Sequence, residues 1–207
     1  WSSVPIPEKD ALYIAGDPVQ PSPAVKYRGI FINDEDWGIQ PWAANTFEPE
    51  IGNIGPGTYA KVFELLLRLH GNVIWPAMHE FPVKSTPFYE IPENKVVADN
   101  YAIVISTSHH EPMLTNSHEY DEDINGPYDY WNNRERIYNF WDKRVKESSS
   151  YENIYTIGMR GRRDEGMIAP EGATDEEKAA KIQNVIVPDQ RQMIANHVHG
   201  NPAEVPQ

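Results

Sequence analysis

A chain of 207 residues with 40% hydrophobic and 11% aromatic content is long enough for one domain with its own core and is globular rather than disordered. Its 31 acidic against 18 basic residues leave a formal charge of −13, and no basic patch stands out, which argues against nucleic acid and against an anionic membrane surface as partners. Cysteine is absent, so disulfides, thiolate metal sites and cysteine nucleophiles are excluded, and no apolar run approaches the length of a membrane span.

Residues 1–25 are rich in proline (Pro5, Pro7, Pro18, Pro21, Pro23) and read as an interdomain linker or strap, with a short strand over Ala11 to Ala15. The amino end lacks the basic and then apolar regions of a signal peptide. With no start methionine, the chain is expected to be a piece of something longer. Val25 to Asn33 is the first predicted strand. A long connection with Trp37, Trp42, Glu48 and Glu50 follows, and long aromatic loops in compact domains are usually functional.

Gly57 to His70 is a predicted helix, with Tyr59, Val62, Phe63, Leu66 and Leu69 on one face and Gly71 as its stop. Asn72 to Met78 is the second strand, Glu93 to Tyr101 a short helix, and Ala102 to Thr107 the third strand. Residues 111–130 form a loop with an acidic tract from Glu119 to Asp123. Trp131 to Ser148 is a helix, and Asn153 to Met159 the fourth strand. A last helix, N-capped by Thr174, runs from Asp175 to Asn196, and Pro188 should kink or split it.

Strands alternating with helices imply a parallel α/β sheet with right-handed crossovers. No Gly-x-Gly-x-x-Gly follows the first strand and no phosphate loop is present, so a dinucleotide fold loses support. Four βα units with long loops after the strands look like half of a (β/α)8 barrel of TIM type, spanning residues 26–207. In that layout the strand ends meet at one rim, where ligands bind.

Several candidate site residues sit at those ends. Asp34, Glu35 and Asp36 close the first strand and suit either substrate-hydroxyl binding or acid–base chemistry, or else N-capping and solvation of a loop. Trp75, in Trp75-Pro76-Ala77-Met78-His79, is either a stacking platform for a sugar ring or a core residue near the rim. His109, His110 and Glu111 end the third strand. Neighbours on a strand point to opposite sides, so one histidine is expected in the site and the other in the wall, and joint metal ligation is disfavoured. Arg160 is either a clamp for a ligand carboxylate or the ion-pair partner of Asp164 or Asp34. Asp164 is the best candidate catalytic carboxylate, and Arg162 and Arg163 are expected in solvent. Many carboxylates and aromatics without a nucleophile motif fit glycoside hydrolysis, which needs two carboxyl groups across the scissile bond.

Lys26-Tyr27-Arg28-Gly29-Ile30-Phe31-Ile32-Asn33-Asp34-Glu35 resembles the opening strand of glycoside hydrolase family 115, the xylan α-1,2-glucuronidases. So do Trp75 to His79, Thr107-Ser108-His109-His110-Glu111-Pro112-Met113, and Gly158-Met159-Arg160-Gly161 with Asp164. The resemblance runs from about Val4 to Gln207. It implies a (β/α)8 catalytic domain within a larger enzyme that removes glucuronic acid, or its 4-O-methyl form, from glucuronoxylan with inversion. It also implies a homodimer acting outside the cell, or in the periplasm of a bacterium.

By that resemblance Asp164 is a required carboxylate, and Arg160, one of His109 and His110, Asp34 and Trp75 line the sugar pocket. The resemblance brings no cofactor and no metal, and it places a second essential glutamate after a fifth strand, beyond Gln207. An isolated half barrel, with open strand edges, is expected to be weakly stable or to self-associate. Two other readings stay open: a non-catalytic carbohydrate-binding piece, and a metal-dependent barrel hydrolase using His109, His110 and Asp164.

Overall fold

A computed structural model describes residues 9–11, 13, 15–17, 19, 21–80, 85–162, 164–201 and 203. Three strands, β1 (Gly29–Phe31), β2 (Val73–Trp75) and β3 (Val104–Ile105), form a parallel sheet in the order β1-β2-β3. The register pairs Ile30 with Ile74 and Phe31 with Trp75, then Val73 with Val104 and Ile74 with Ile105. β1 and β2 lie closer than a side chain would allow at Gly29, where a Cβ would fall 1.9 Å from the Val73 carbonyl oxygen. All three strands are shorter than their apolar runs, because the ladder stops where the chain turns into the loops of the rim.

The helices are α1 (Ile39–Trp42), α2 (Pro56–Arg68), α3 (Glu93–Asn100), α4 (Glu122–Asn125), α5 (Arg134–Ser148), α6 (Asp175–Lys181) and α7 (Val187–Ile194). In α2, Pro56 occupies the first turn, where its missing N–H costs nothing, and Tyr59, Phe63 and Leu66 recur at helical spacing and are buried. Ile74 and Ile105, one register pair, pack with them and with Ala98 of α3 in one core cluster. Leu69, expected on that face, is 68% exposed, and the left-handed residue ending the helix is His70, not Gly71. The second cluster joins Ile137, Trp141 and Val145 of α5 to Met193 and Ile194 of α7. Phe31 and Trp75, each 37% exposed, touch edge to face at 5.4 Å.

The fourth expected strand is reduced to one parallel bridge, Ile105 to Asn153. Ile154 N still donates to Ile105 O at 2.9 Å, but beyond it the backbone bonds elsewhere. Gly158 donates its N–H to Gln190 and accepts from the Gln190 amide, both at 2.7 Å, so a buried α7 side chain takes the place of a neighbouring strand. α5 starts three residues late because Asp129 accepts from Trp131 N and from the Asn132 amide and holds a turn there. Thr174 caps α6 in a reciprocal box with Glu177, as its position predicts. The expected break at Pro188 takes another form. The helix widens to a π-turn over Ile182–Ile186, which makes room for the proline ring and its missing donor while the chain stays helical through α7.

The acidic tract is structural: Asp121 caps α4, and Glu122 accepts from Tyr128 N and pairs with Arg162 at 2.8 Å. Arg162 is therefore engaged rather than solvated, and Arg163 lies outside the described residues. Of the strand expected over 11–15, Leu12 and Ile14 lie outside the described residues, and Ala11, Tyr13 and Ala15 are in no strand. No helix among the described residues is long and apolar enough to cross a membrane.

Candidate functional site

Asp34, His109, His110 and Asp164 line one cavity of about 300 Å³, together with Asn33, Met78, His79, Asn116 and His118. They arrive from the carboxyl ends of β1, β2 and β3 and from the segment after the Asn153 bridge. A larger hollow of about 890 Å³ runs along α6 and α7, but Arg191 is its one charged lining residue, so it offers little for catalysis.

Glu35 builds the rim instead of facing the cavity. One of its oxygens accepts from Met78 N at 2.9 Å, His79 N at 3.0 Å and the Thr86 hydroxyl at 2.5 Å, while the other lies 2.9 Å from His79 Nδ1. Burial raises its pKa, but the hydrogen bonds from Thr86 and His79 outweigh this and leave it below the usual carboxylate value. Glu35 thus ties the loop after β2 to the end of β1. Asp34, just before it, takes a left-handed conformation (φ 53°), which turns the chain and leaves Asp34 on the cavity wall.

His109 and His110 do not diverge as expected of strand neighbours. They sit in a turn closed by Glu111 N donating to Ser108 O at 3.0 Å, and their rings stack 5.0 Å apart at 15°. Both line the cavity, so the alternation rule does not apply to them. His109 Nε2 lies 2.9 Å from Asp164 Oδ1, and His110 Nε2 lies 2.9 Å from Met78 Sδ.

Asp164 Oδ1 is also 3.0 Å from the Arg160 guanidinium, which donates a hydrogen bond to the Asp164 carbonyl. The His109 hydrogen bond, helped by the charge of Arg160, holds the Asp164 carboxyl below its ordinary pKa. Arg160 is therefore paired with Asp164, is half-exposed and is not among the residues that line the cavity. Trp75 is not among the cavity residues; it touches Phe31, which is.

Glu111 is buried behind the wall. It accepts from the Asn116 amide at 2.8 Å and from Ser108 N and Oγ at 3.3 and 3.2 Å. Asn116 spends its other amide hydrogen on Met78 O at 2.7 Å, and so locks the third loop to the end of β2. Burial pushes the Glu111 carboxyl up from 4.5 to about 8, against the lowering effect of Asn116 and Ser108. Between those values the native state keeps a proton that the unfolded chain releases, so this group makes stability fall as pH rises through that window. Glu111→Gln cannot ionise. Its stability relative to wild type is expected to improve by up to roughly 1.4 kcal/mol per pH unit between about pH 5 and pH 8. Denaturant melts at several pH values check this, and parallel curves would contradict a buried, protonated Glu111.

Asn116 and His118 were missed in the sequence. The one signal for Asn116 is the Asn-x-x-Glu spacing of a capping box, which Asn116 and Glu119 form. The histidines and Asp164 are also the one group among the described residues whose donor atoms gather closely enough to suggest a metal, within 4.8 Å of one another. The guanidinium already on Asp164 Oδ1 opposes a second cation there by like charge. A sugar hydroxyl or a water suits these donors better.

The profile of glycosyl hydrolase family 115 matches residues 20–207. The chain belongs to this family. A solved structure named as a family GH115 4-O-methyl-α-glucuronidase with specificity for decorated arabinogalactans is similar at 44% identity and a TM-score of 0.79. The match covers 90% of this chain and 24% of that one, so the family 115 chain described here spans about a quarter of that relative's length. No curated protein matches significantly.

Proposed function

We propose that this chain is the first half of a (β/α)8 catalytic barrel in an α-glucuronidase. The enzyme would release α-1,2-linked glucuronic acid, or its 4-O-methyl form, from glucuronoxylan or its oligosaccharides with inversion. The observation that carries this reading is the convergence of Asp34, His109, His110 and Asp164 on one cavity at the ends of parallel strands, in a family 115 chain. The sequential strand order and the partly exposed Phe31 and Trp75 support the barrel, in which those two side chains would face the interior.

In this reading water attacks the anomeric carbon, the glycosidic C–O bond breaks, and the leaving oxygen takes a proton. An ionised Asp164 paired with His109 suits activation of the water. The proton comes from a carboxyl outside this chain, at the spacing of about 6.5–9.5 Å that inversion requires. Arg160 pairs with the Asp164 carboxylate and donates one hydrogen bond to its carbonyl; a guanidinium carries five N–H groups, so donors remain for the uronate carboxylate. We further propose, by analogy with the family alone, that the enzyme acts outside the cell or in the periplasm, as a homodimer.

Incubating the full-length protein with glucuronoxylan and following uronate release by NMR tests this. The expected first product is the β-anomer of glucuronic acid. The α-anomer first would contradict inversion, and no uronate at all would contradict the activity. A decorated arabinogalactan is the second substrate to assay, because that is the specificity named for the similar solved structure.

A further inference from the structure

A second groove, of about 690 Å³, shares no lining residue with the cavity. Lys95 of α3 and Arg136, Lys143 and Arg144 of α5 line it, with Glu119 and Glu147. Four cations in one groove stand out in a chain of formal charge −13. They are hidden in the sequence because two helices contribute them, although Arg136, Phe140, Lys143 and Glu147 follow one helical stripe.

Arg144 is already committed. It pairs with Glu119, lies 4.6 Å from the centre of the Tyr89 ring, and has an 11% exposed side chain. Glu119 is held in turn by Asn116 N. This trio forms a fixed floor. Lys95, Arg136 and Lys143 are in no ion pair among the described residues. Tyr89 and Phe140 add aromatic rings, and Asn125 and Asn139 add amides. Rings for the C–H face of a sugar, amides for hydroxyls and ammonium groups for a carboxylate together match an acidic saccharide.

We propose that this groove binds a uronate-bearing oligosaccharide outside the catalytic cavity, with Lys95 and Lys143 holding the carboxylate. The choice of ligand rests on the uronate reading of the cavity; the groove itself does not. One loop separates the two sites: Ser117 and His118 line the cavity, while Glu119 and Asn125 line the groove. A polysaccharide with repeated acidic branches could occupy both.

The test is calorimetric titration of the full-length protein, with the cavity disabled by His109→Ala and Asp164→Asn, using glucuronoxylo-oligosaccharide, the unbranched neutral xylo-oligosaccharide and inorganic phosphate. Binding of the acidic sugar alone is expected to persist. Lys95→Ala with Lys143→Ala should weaken it by roughly tenfold or more, as should raising salt to about 0.5 M. The same two substitutions in the otherwise native protein should leave hydrolysis of a short substrate unchanged. Loss of all binding with the cavity disabled, insensitivity to the lysines, or equal binding of phosphate or the neutral sugar would overturn the proposal. Retained groove binding without hydrolysis by the native protein would uphold the groove and reject the hydrolase reading.

Discussion

Asp164→Asn in the full-length protein is expected to lower kcat for uronate release by roughly 10²–10⁴-fold, the usual range for a lost general acid or base, and to change KM little. The argument rests on what surrounds this carboxyl. His109 and Arg160 both reach the same oxygen, and both favour its ionised form. A carboxyl held below its ordinary pKa is a poor proton donor at neutral pH, so its part is that of a base or a fixed negative charge. Asparagine keeps the shape and one acceptor but removes the charge and the basicity. Because Asp164 is exposed and its ion pairs lie at the surface, the melting temperature should stay near wild type. Near-normal turnover would remove Asp164 from the reaction, and a large fall in melting temperature would make it structural.

Glu48→Ala is expected to destabilise the domain by roughly 2–4 kcal/mol, the scale for a lost charged partner of buried donors. Glu48 is 6% exposed and lies at the amino end of α2, where the first N–H groups have no partner within the helix. It accepts from Gly57 N and Thr58 N at 2.7 Å, from Gly55 N at 3.2 Å, and from the Thr58 hydroxyl. The two glycines admit it: a Cβ on Gly55 or Gly57 would fall 2.9 or 2.7 Å from Glu48 Oε1. The positive end of the helix dipole adds to the attraction. Thermal melts of the full-length protein should show this domain's transition several degrees lower in the variant. Glu50→Ala, at an exposed position nearby, should stay within about 0.5 kcal/mol of wild type. Equal effects at the two positions would contradict the capping role.

These two carboxylates show what was legible in the sequence and what was not. Glu48 and Glu50 read alike there, as polar residues in a long aromatic loop. Only the folded chain distinguishes the one that meets a helix end seven to ten residues on. The strand positions and the helix phases were legible because burial imposes its period on the residues, as with Tyr59, Phe63 and Leu66. Strand length was not, since after Ile154 the chain leaves the ladder: Thr156 O accepts from Met113 N, and Gly158 satisfies its backbone through Gln190, thirty-two residues away. The site was legible as strand ends bearing ionisable residues. Which of them face the cavity was not, because that depends on local turns: the Ser108–Glu111 turn brings both histidines to one side, and the left-handed Asp34 separates it from buried Glu35. The cationic groove was only half legible: Arg136 and Lys143 share one stripe of α5, but Lys95 joins them from α3, which the sequence does not show.

The central claim is that Asp34, His109, His110 and Asp164 form one hollow that holds a uronic acid. A crystal structure of the full-length protein soaked with glucuronate tests it most directly. The account predicts one sugar in that hollow, with His109 and Asp164 within hydrogen-bonding distance of its ring substituents and its carboxylate turned toward Arg160. A sugar bound with those side chains turned away from it, or dispersed over separate surfaces, would contradict the account.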